Sequence, residues 1–377
     1  MLEKLSCSIN NTLYPTHGGD RNALIGELGV PDEQVLDFSA SVIPFGSHPE
    51  VLSTLGDLGR LVSEYPEPNA LLFSEKVSEY LSIPSEWILV TNGSTELIHL
   101  LPRLVALGEE ALVLNPCFSE YERGLELSGI HVNSLHYDPE SLFQMNSKSV
   151  IDYLHQHSSV RMLILGHPNN PTGHLWQDDA LKVIVRYCES QKIILVIDET
   201  FVEFCGEAVS ALKWVQDNRY VIVVRSMTKF FGLAGVRLGY GVMHPDFKTR
   251  LKKYQIPWSV NGIAQKMGIA ALADEEYLIQ TRKMMDELRT FLFSELNVLS
   301  GIRIFPSQTN FLLFQLLSET VEGAHQFYMS LLKAGILIRN CGNFKGLNES
   351  YFRVAVRAES ENQVLISAIK TQLDKEP

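Results

Sequence analysis

Cysteine is scarce and scattered: five residues in 377, at positions 7, 117, 188, 205 and 341, with no Cys-x-x-Cys pair among them. A disulfide framework needs a denser set and a zinc or redox site a closer spacing, so both are excluded and no metal centre is expected. The scatter fits a reducing compartment, which makes the cytoplasm the expected location. Long apolar runs are also lacking. The longest, such as IILVI at 193–197, fall far below the roughly 20 residues of a membrane-spanning helix, so no membrane association is expected. The opening MLEKLSCSINNTLYPT is interrupted by a glutamate, asparagines and a proline where a secretory signal needs an unbroken apolar core. Positive charge is in deficit, with 32 basic against 44 acidic side chains and a net charge of −12. Such a field repels phosphate backbones, and nucleic acid is not an expected partner. An anionic small molecule would need a local cluster of arginines. Repeats, low-complexity tracts and linkers are absent too.

What is present is an ordinary globular composition, 45% apolar and 20% charged, in a chain long enough for a large domain and a smaller one. Short β-branched runs alternate with amphipathic stretches. WILVTN (87–92) precedes STELIHLLPRLVAL (94–107), ALVLN (111–115) precedes FSEYERGLELSG, and RMLIL (161–165) leads through a turn to DDALKVIVRYCES; KIILVID (192–198) and YVIVV (220–224) complete the series. This alternation predicts an α/β fold, a mostly parallel sheet with helices on both faces, and ligand groups just beyond the carboxyl ends of the strands. From about residue 275 the pattern changes to a long helical stretch followed by NFLLFQL, GILIRN and YFRVAVR, which predicts a smaller α+β domain. The expected organisation is an N-terminal segment, 1–45, near the small domain; a large domain, 46–274; and the small domain, 275–377.

Four segments fall where strand ends are expected. TNGSTE (91–96) runs from a glycine turn into a helix, so the backbone N–H groups of Ser94 and Thr95 stand free at a positive helix end, a seat for phosphate; a plain helix cap by either hydroxyl is the alternative. HPNNPTG (167–173) fixes its backbone with two prolines and offers two asparagine amides as donors; a simple turn explains Pro171 and Gly173 but not the whole string. VIDETFVEF (196–204) ends a buried strand on Asp198, which needs a cation or N–H partner unless it caps a helix. VVRSMTKFFGLAGVRLGYG (223–241) holds Ser226, Thr228 and Lys229, with Arg237 eight residues on. By itself this last segment reads equally well as strand, turn and strand with surface charges. Jointly, the four supply an amine that condenses with a carbonyl, a carboxylate, an oxygen donor and an anion seat, the set a pyridoxal phosphate site requires.

NPTG, the D-E-x-F string after a strand, S-x-T-K and the arginine eight residues beyond the lysine resemble the fold-type I pyridoxal phosphate enzymes of the aminotransferase class I/II family, over nearly the whole chain. The resemblance implies that Lys229 carries pyridoxal 5'-phosphate, Asp198 pairs with the ring nitrogen and Asn170 donates to the ring oxygen. It implies that Ser94, Thr95, Ser226, Thr228 and Arg237 hold the phosphate and that Phe118 stacks on the ring. Tyr65, in SEYPEPN, matches a tyrosine that reaches the cofactor phosphate of a second subunit, implying a homodimer with a shared active site.

Within that family, the pattern including YP near 65 is shared with the histidinol-phosphate aminotransferases. THGGD, DFSAS, QIPWSVN and LIRNCGNFKGLNESYFRVAVR are more similar to the threonine-phosphate decarboxylases of the cobalamin pathway. Phe201 stands where the transferases usually carry a tyrosine. The resemblance thus implies a carboxy-lyase acting on a small phosphorylated amino acid, with an amino-acid aminotransferase as the alternative. It places Arg339 and Arg353 in the substrate pocket, where two guanidinium forks suit a carboxylate and a phosphate; which anion each holds is open. His17, in THGGD, is a further substrate candidate. The family stretch resembles DFSANINP where this chain reads DFSASVIP, so Ser41 and Ile43 replace two asparagines, and Ser41 occupies a substrate-facing position.

Overall fold

The computed structural model describes residues 17–19, 35–317 and 320–374. Among them the strands are β1 (Leu36–Asp37), β2 (Ile88–Thr91), β3 (Glu110–Asn115), β4 (His131–His136), β5 (Val160–Gly166), β6 (Ile194–Asp198), β7 (Val221–Ser226), β8 (Gly239–Val242), β9 (Ile302–Ile304), β10 (Phe311–Leu316), β11 (Ile336–Leu337), β12 (Arg339–Asn340) and β13 (Tyr351–Ala355). The chain forms two compact units. One comprises Val42–Asp286 with Ser307–Thr309; the other comprises the described residues up to Ser41, Glu287–Pro306 and those from Asn310 onward.

The larger unit is built on a seven-stranded sheet in the order β2-β8-β7-β6-β5-β3-β4. Pairings from β7 through to β4 are parallel, while β8 runs antiparallel to both its neighbours. Valine, isoleucine and leucine fill β3, β5, β6 and β7 almost without polar interruption because both faces are covered. On one face Val113, Ile164, Val196 and Val224 pack with Leu97, Tyr121 and Leu125 from the helices Gly93–Leu100 and Glu120–Leu127. On the other, the helix Asp178–Gln191 packs on β6 and buries Leu181, Ile184, Val185 and Cys188. Each fully buried aliphatic side chain contributes roughly 1.5–3 kcal/mol relative to exposure.

The stretch 94–107, read as one helix, ends early: the α-helix stops at Leu100 and a 3₁₀ turn covers Leu101–Leu104. Pro102 has no N–H with which to continue the ladder. Strand β8, sequence GYGV, uses its glycines for close approach. A Cβ at Gly241 would lie 2.4 Å from Leu97 Cδ2, and one at Gly239 would lie 2.5 Å from the Ser94 nitrogen. The helix Gly93–Leu100 therefore sits directly against this strand.

The smaller unit contains an antiparallel sheet, β12-β13-β10-β9, and a parallel pair, β1 with β11. Phe314, Phe327 and Phe352 form its aromatic centre, with ring centroids 5.5–6.2 Å apart. The helices Val321–Lys333 and Glu359–Leu373 pack against each other. The long helix Glu275–Asn297 passes from one unit into the other at Asp286 and Glu287. None of the described helices is long and apolar enough to cross a membrane.

Candidate active site

Strand direction explains why a lysine and an arginine eight residues apart return to one place. Ser226 at the end of β7 pairs with Gly239 at the start of antiparallel β8. The connecting loop thus leaves and re-enters the sheet at the same edge, with Lys229 near its start and Arg237 near its end. Gly239 also pairs with Thr91, so β2 runs parallel to β7 and ends at this edge as well. On the far side of β7, Asp198 pairs with Val224, and Gly166 pairs with Asp198. The carboxyl ends of β2, β7, β6 and β5 therefore stand in one row.

At the β2 end the helix Gly93–Leu100 begins with no side-chain cap from Asn92. Neither Ser94 nor Thr95 acts as the cap. Gly93 has a φ of +73°, and a Cβ there would lie 2.6 Å from Arg237 Nη2, so the guanidinium covers the first residue of the helix. The Ser94 nitrogen lies against Gly239, which faces Ser226 across the ladder. Ser226 and Thr228 are buried, with their hydroxyl oxygens 2.7 Å apart. Helix N-terminus, two hydroxyls and a guanidinium therefore converge, an arrangement suited to an anion. Lys229 is half-buried, and its carbonyl accepts from the Ile43 N–H at 3.2 Å.

Asp198 is buried and caps no helix. Its Oδ1 accepts from the Thr200 N–H at 2.8 Å and its Oδ2 from the Tyr121 hydroxyl at 2.6 Å. Burial raises its pKa, and the bonds from Thr200 and Tyr121 oppose that rise. Tyr121 follows Phe118 by one turn; its N–H donates to the Phe118 carbonyl at 3.1 Å, and the rings meet edge to face at 5.8 Å. Sequence reasoning found Phe118 but missed Tyr121.

The two asparagines of HPNNPTG part company. Asn169 is wholly buried, and its amide donates to the Pro116 carbonyl at 2.9 Å and to Thr172 Oγ1 at 3.0 Å. It ties the turn to the segment carrying Phe118, so its donors are not offered to a ligand. Asn170 is half-buried beside it. Gly173 has a φ of +69°, and a Cβ there would strike Ser307 Oγ at 2.1 Å, so only glycine fits.

A second group was not read from the sequence. Arg225, 1% exposed, donates to Glu199 at 2.8 Å, to Glu203 at 2.7 Å, to Glu207 at 2.9 and 3.0 Å and to Ser210 at 2.9 Å. Burial raises the pKa of Glu199 and Glu203, with Arg225 opposing; burial acts against Arg225 as a cation, but the three carboxylates hold its pKa well above normal. Arg225 adjoins Ser226 and Glu199 adjoins Asp198, and the Glu199 N–H donates to the Val224 carbonyl at 2.8 Å. The cluster thus braces the ends of β6 and β7. The available signal was an arginine inside an apolar strand, which demands buried partners.

In the smaller unit Arg339 and Arg353 are directly opposed on β12 and β13, so both side chains leave the same face of the sheet. Both are buried. Arg339 donates to Asn343 at 2.6 Å and lies over Phe344; Arg353 donates to the Ser39 carbonyl at 3.1 Å and lies over Phe311. Burial lowers the pKa of both, that of Arg353 to about 10, which leaves Arg353 cationic at neutral pH. Ser39 also accepts from the Gly19 N–H at 2.9 Å, which brings exposed His17 into the same neighbourhood. Ser41 is buried and its hydroxyl has no hydrogen-bond partner among the described residues.

The family model for aminotransferase class I and II matches residues 33–369. The chain belongs to the aminotransferase class I and II family. It is 32% identical over 361 residues to the threonine-phosphate decarboxylase of Salmonella typhimurium, covering 95% of this chain and 96% of that protein. Two solved structures share the fold of this family member. The L-threonine-O-3-phosphate decarboxylase of Porphyromonas gingivalis superposes with a TM-score of 0.78 at 27% identity, and the histidinol-phosphate aminotransferase of Clostridium acetobutylicum with 0.83 at 29%. Each comparison covers 90% of this chain and 99% of the other.

Within this family member, Tyr65 faces solvent. It is 85% exposed, sits 5.2 Å from the Trp258 ring, and makes no hydrogen bond to the other candidates. Behind the strand ends, His167 donates its backbone N–H to the Asp198 carbonyl at 2.8 Å, and its Nε2 lies 2.9 Å from the Val209 carbonyl. Burial lowers the pKa of His167 and of His174 to about 4. Both are neutral when folded and protonate near 6.5 when unfolded, so the unfolded chain binds more protons between these values. Stability should therefore fall as pH drops from about 6.5 to about 4, by up to about 1.4 kcal/mol per pH unit for each histidine. In denaturant titrations across this range, His174→Phe should remove one proton from the slope; an unchanged slope contradicts the assignment.

Proposed function

We propose that this chain is a pyridoxal phosphate-dependent carboxy-lyase that converts L-threonine O-3-phosphate to (R)-1-aminopropan-2-yl phosphate in cobalamin biosynthesis. The observation that carries the cofactor assignment is Asp198: a buried carboxylate that receives neutral donors and no ion pair among the described residues. A protonated pyridine nitrogen would supply the missing cation, and the anion seat formed by Ser94, Thr95, Ser226, Thr228 and Arg237 suits the phosphate on the same molecule. Pyridoxal phosphate, when bound, supplies the electron sink that an amino acid lacks.

Lys229 is the covalent anchor, Asp198 holds the ring proton, Asn170 donates to the ring oxygen and Phe118 packs on the ring face. In decarboxylation the Cα–carboxylate bond breaks, carbon dioxide leaves, and Cα must receive a proton; Lys229 Nζ is the donor. The substrate's carboxylate and phosphate fall to Arg339 and Arg353, with Ser41 and His17 as further contacts. Orientation decides which bond to Cα breaks, so these residues select lyase over transferase chemistry.

Support for the lyase over the transferase comes from the 32% identity to the Salmonella decarboxylase and from Phe201, buried on the segment after Asp198. Purified protein given threonine phosphate should release carbon dioxide in proportion to substrate consumed. Formation of glutamate with histidinol phosphate and 2-oxoglutarate, without carbon dioxide, would establish the transferase instead. Replacing Arg339 or Arg353 by alanine should lower kcat/KM roughly 10- to 150-fold, the worth of about 1.5–3 kcal/mol for a charged hydrogen bond.

The same reading makes the enzyme a homodimer. Leu52, Val62, Tyr65, Leu72, Ile256 and Trp258 are 49–85% exposed, and their parent helices and loop give the larger unit apolar surface for a second copy. Sedimentation equilibrium should return twice the chain mass. No disulfide engages the cysteines at 117, 188, 205 and 341, which fits a cytoplasmic enzyme.

A further inference from the structure

Asp198 is held by a residue that no motif identified. We propose that Tyr121 is a positioning residue for the cofactor, which acts through Asp198 by fixing the direction of its carboxylate and holding it in the ionised form. This inference rests on the cofactor assignment above and deepens it.

The geometry is specific. The Tyr121 hydroxyl has a buried acceptor, Asp198 Oδ2 at 2.6 Å, and Asp198 Oδ1 is taken by the Thr200 N–H at 2.8 Å. The two carboxylate oxygens are thus tied from different elements, which fixes the plane of the group. The phenol comes from the helix Glu120–Leu127 and the amide from the turn after β6. Tyr121 is buried, 3% exposed, among Leu97, Leu125 and Val224 of the core, so its ring cannot swing away without opening a cavity. Burial and the neighbouring carboxylate push its own ionisation far above the normal range, which keeps it a hydrogen-bond donor at every working pH.

A donor of this kind favours the charged form of a carboxylate, whereas burial favours the neutral form. Removing the hydroxyl leaves a buried carboxylate held by Thr200 alone. Asp198 would then hold its proton more readily and partner a ring cation less well. The segment entering the helix Glu120–Leu127 carries Phe118, whose ring meets Tyr121 edge to face, so one short segment presents the ring-packing aromatic and the anchor of the ring's counter-ion.

The test is a double-mutant cycle with Tyr121→Phe and Asp198→Ala, read by the dissociation constant for added pyridoxal phosphate and by the pH titration of the bound cofactor's visible absorbance. Tyr121→Phe alone should weaken cofactor binding about tenfold, the scale of a hydrogen bond to a charged group, and should displace the absorbance titration. In the Asp198→Ala background the same change should cost nothing further, because the group through which Tyr121 acts is gone. Should Asp198→Ala bind too weakly to measure, the spectral titration of Tyr121→Phe alone decides, since a purely structural loss lowers affinity without moving it. Wild-type affinity and titration in Tyr121→Phe, or an equal loss in both backgrounds, would overturn the inference. A wild-type protein that takes up no cofactor would instead sink the assignment beneath it, so the two failures are distinguishable.

Discussion

Lys229→Ala should lower the rate of carbon dioxide release on the order of 10⁴- to 10⁶-fold, the scale seen when the covalent member of a catalytic unit is deleted. Under the proposed function two roles vanish together, the anchor of the cofactor and the proton donor to Cα, so the effect should exceed that of any single binding residue. The fold should survive. Lys229 lies in the loop between β7 and β8, while the sheet on either side of it is held by buried Val221–Val224 and by the ladder to β8. Unfolding of the apoprotein should change little, and circular dichroism should match wild type. A variant that retains more than about a hundredth of the wild-type rate would remove Lys229 from the mechanism.

The largest effect on stability is expected from Arg225. Arg225→Met leaves Glu199, 0% exposed, without its cation and Glu203, 2% exposed, with only Arg282 at 4.0 Å, and breaking a buried ion pair from one side costs about 3–5 kcal/mol. The loss has a pH signature. Burial already raises both carboxyl pKa values above the ordinary 4.5, against the pull of Arg225, and removing the cation raises them further. A group whose folded pKa is raised stabilises below its unfolded value and loses that contribution as pH rises through its folded value. The destabilisation of Arg225→Met should therefore be greatest at pH 8 and shrink as pH falls toward 4.5. A pH-independent loss measured by denaturant unfolding would contradict this account of the cluster.

Much of the site was legible because its chemistry is concentrated in contiguous strings at strand ends. SMTK and NPTG carry their donors within four residues, and Asp198 closes an otherwise aliphatic strand. Among the strands that could be read, the doubly buried β3, β5, β6 and β7 were the clearest, because their aliphatic runs have no other explanation. Within the seven-stranded sheet, β4 was not read and β8 only as the second arm of a strand, turn and strand. β4, HVNSLH, is a half-exposed edge with no apolar run, and β8, GYGV, is short and rich in glycine because the helix Gly93–Leu100 lies against it. Antiparallel β8 nevertheless brings Arg237 back beside Ser226, so the arginine spacing could be noticed but not explained from sequence.

Side-chain division of labour was equally hidden. Asn169 and Asn170 are indistinguishable in the string, yet only Asn169 is committed to the Pro116 carbonyl. Tyr121 and the Arg225 cluster depend on partners 77 and 18–26 residues away along the chain, and no local pattern records such pairings. The opposition of Arg339 and Arg353 across two strands likewise follows from register, which the sequence does not print.

The proposed function requires that one amine, on Lys229, bind the cofactor covalently. It is tested most directly by reducing the loaded protein with borohydride and mapping the modified peptide by mass spectrometry. The reduced pyridoxyl group should be found on Lys229 and on no other lysine, with loss of the visible absorbance. A label on a different residue, or none on a protein that is coloured beforehand, would contradict the account.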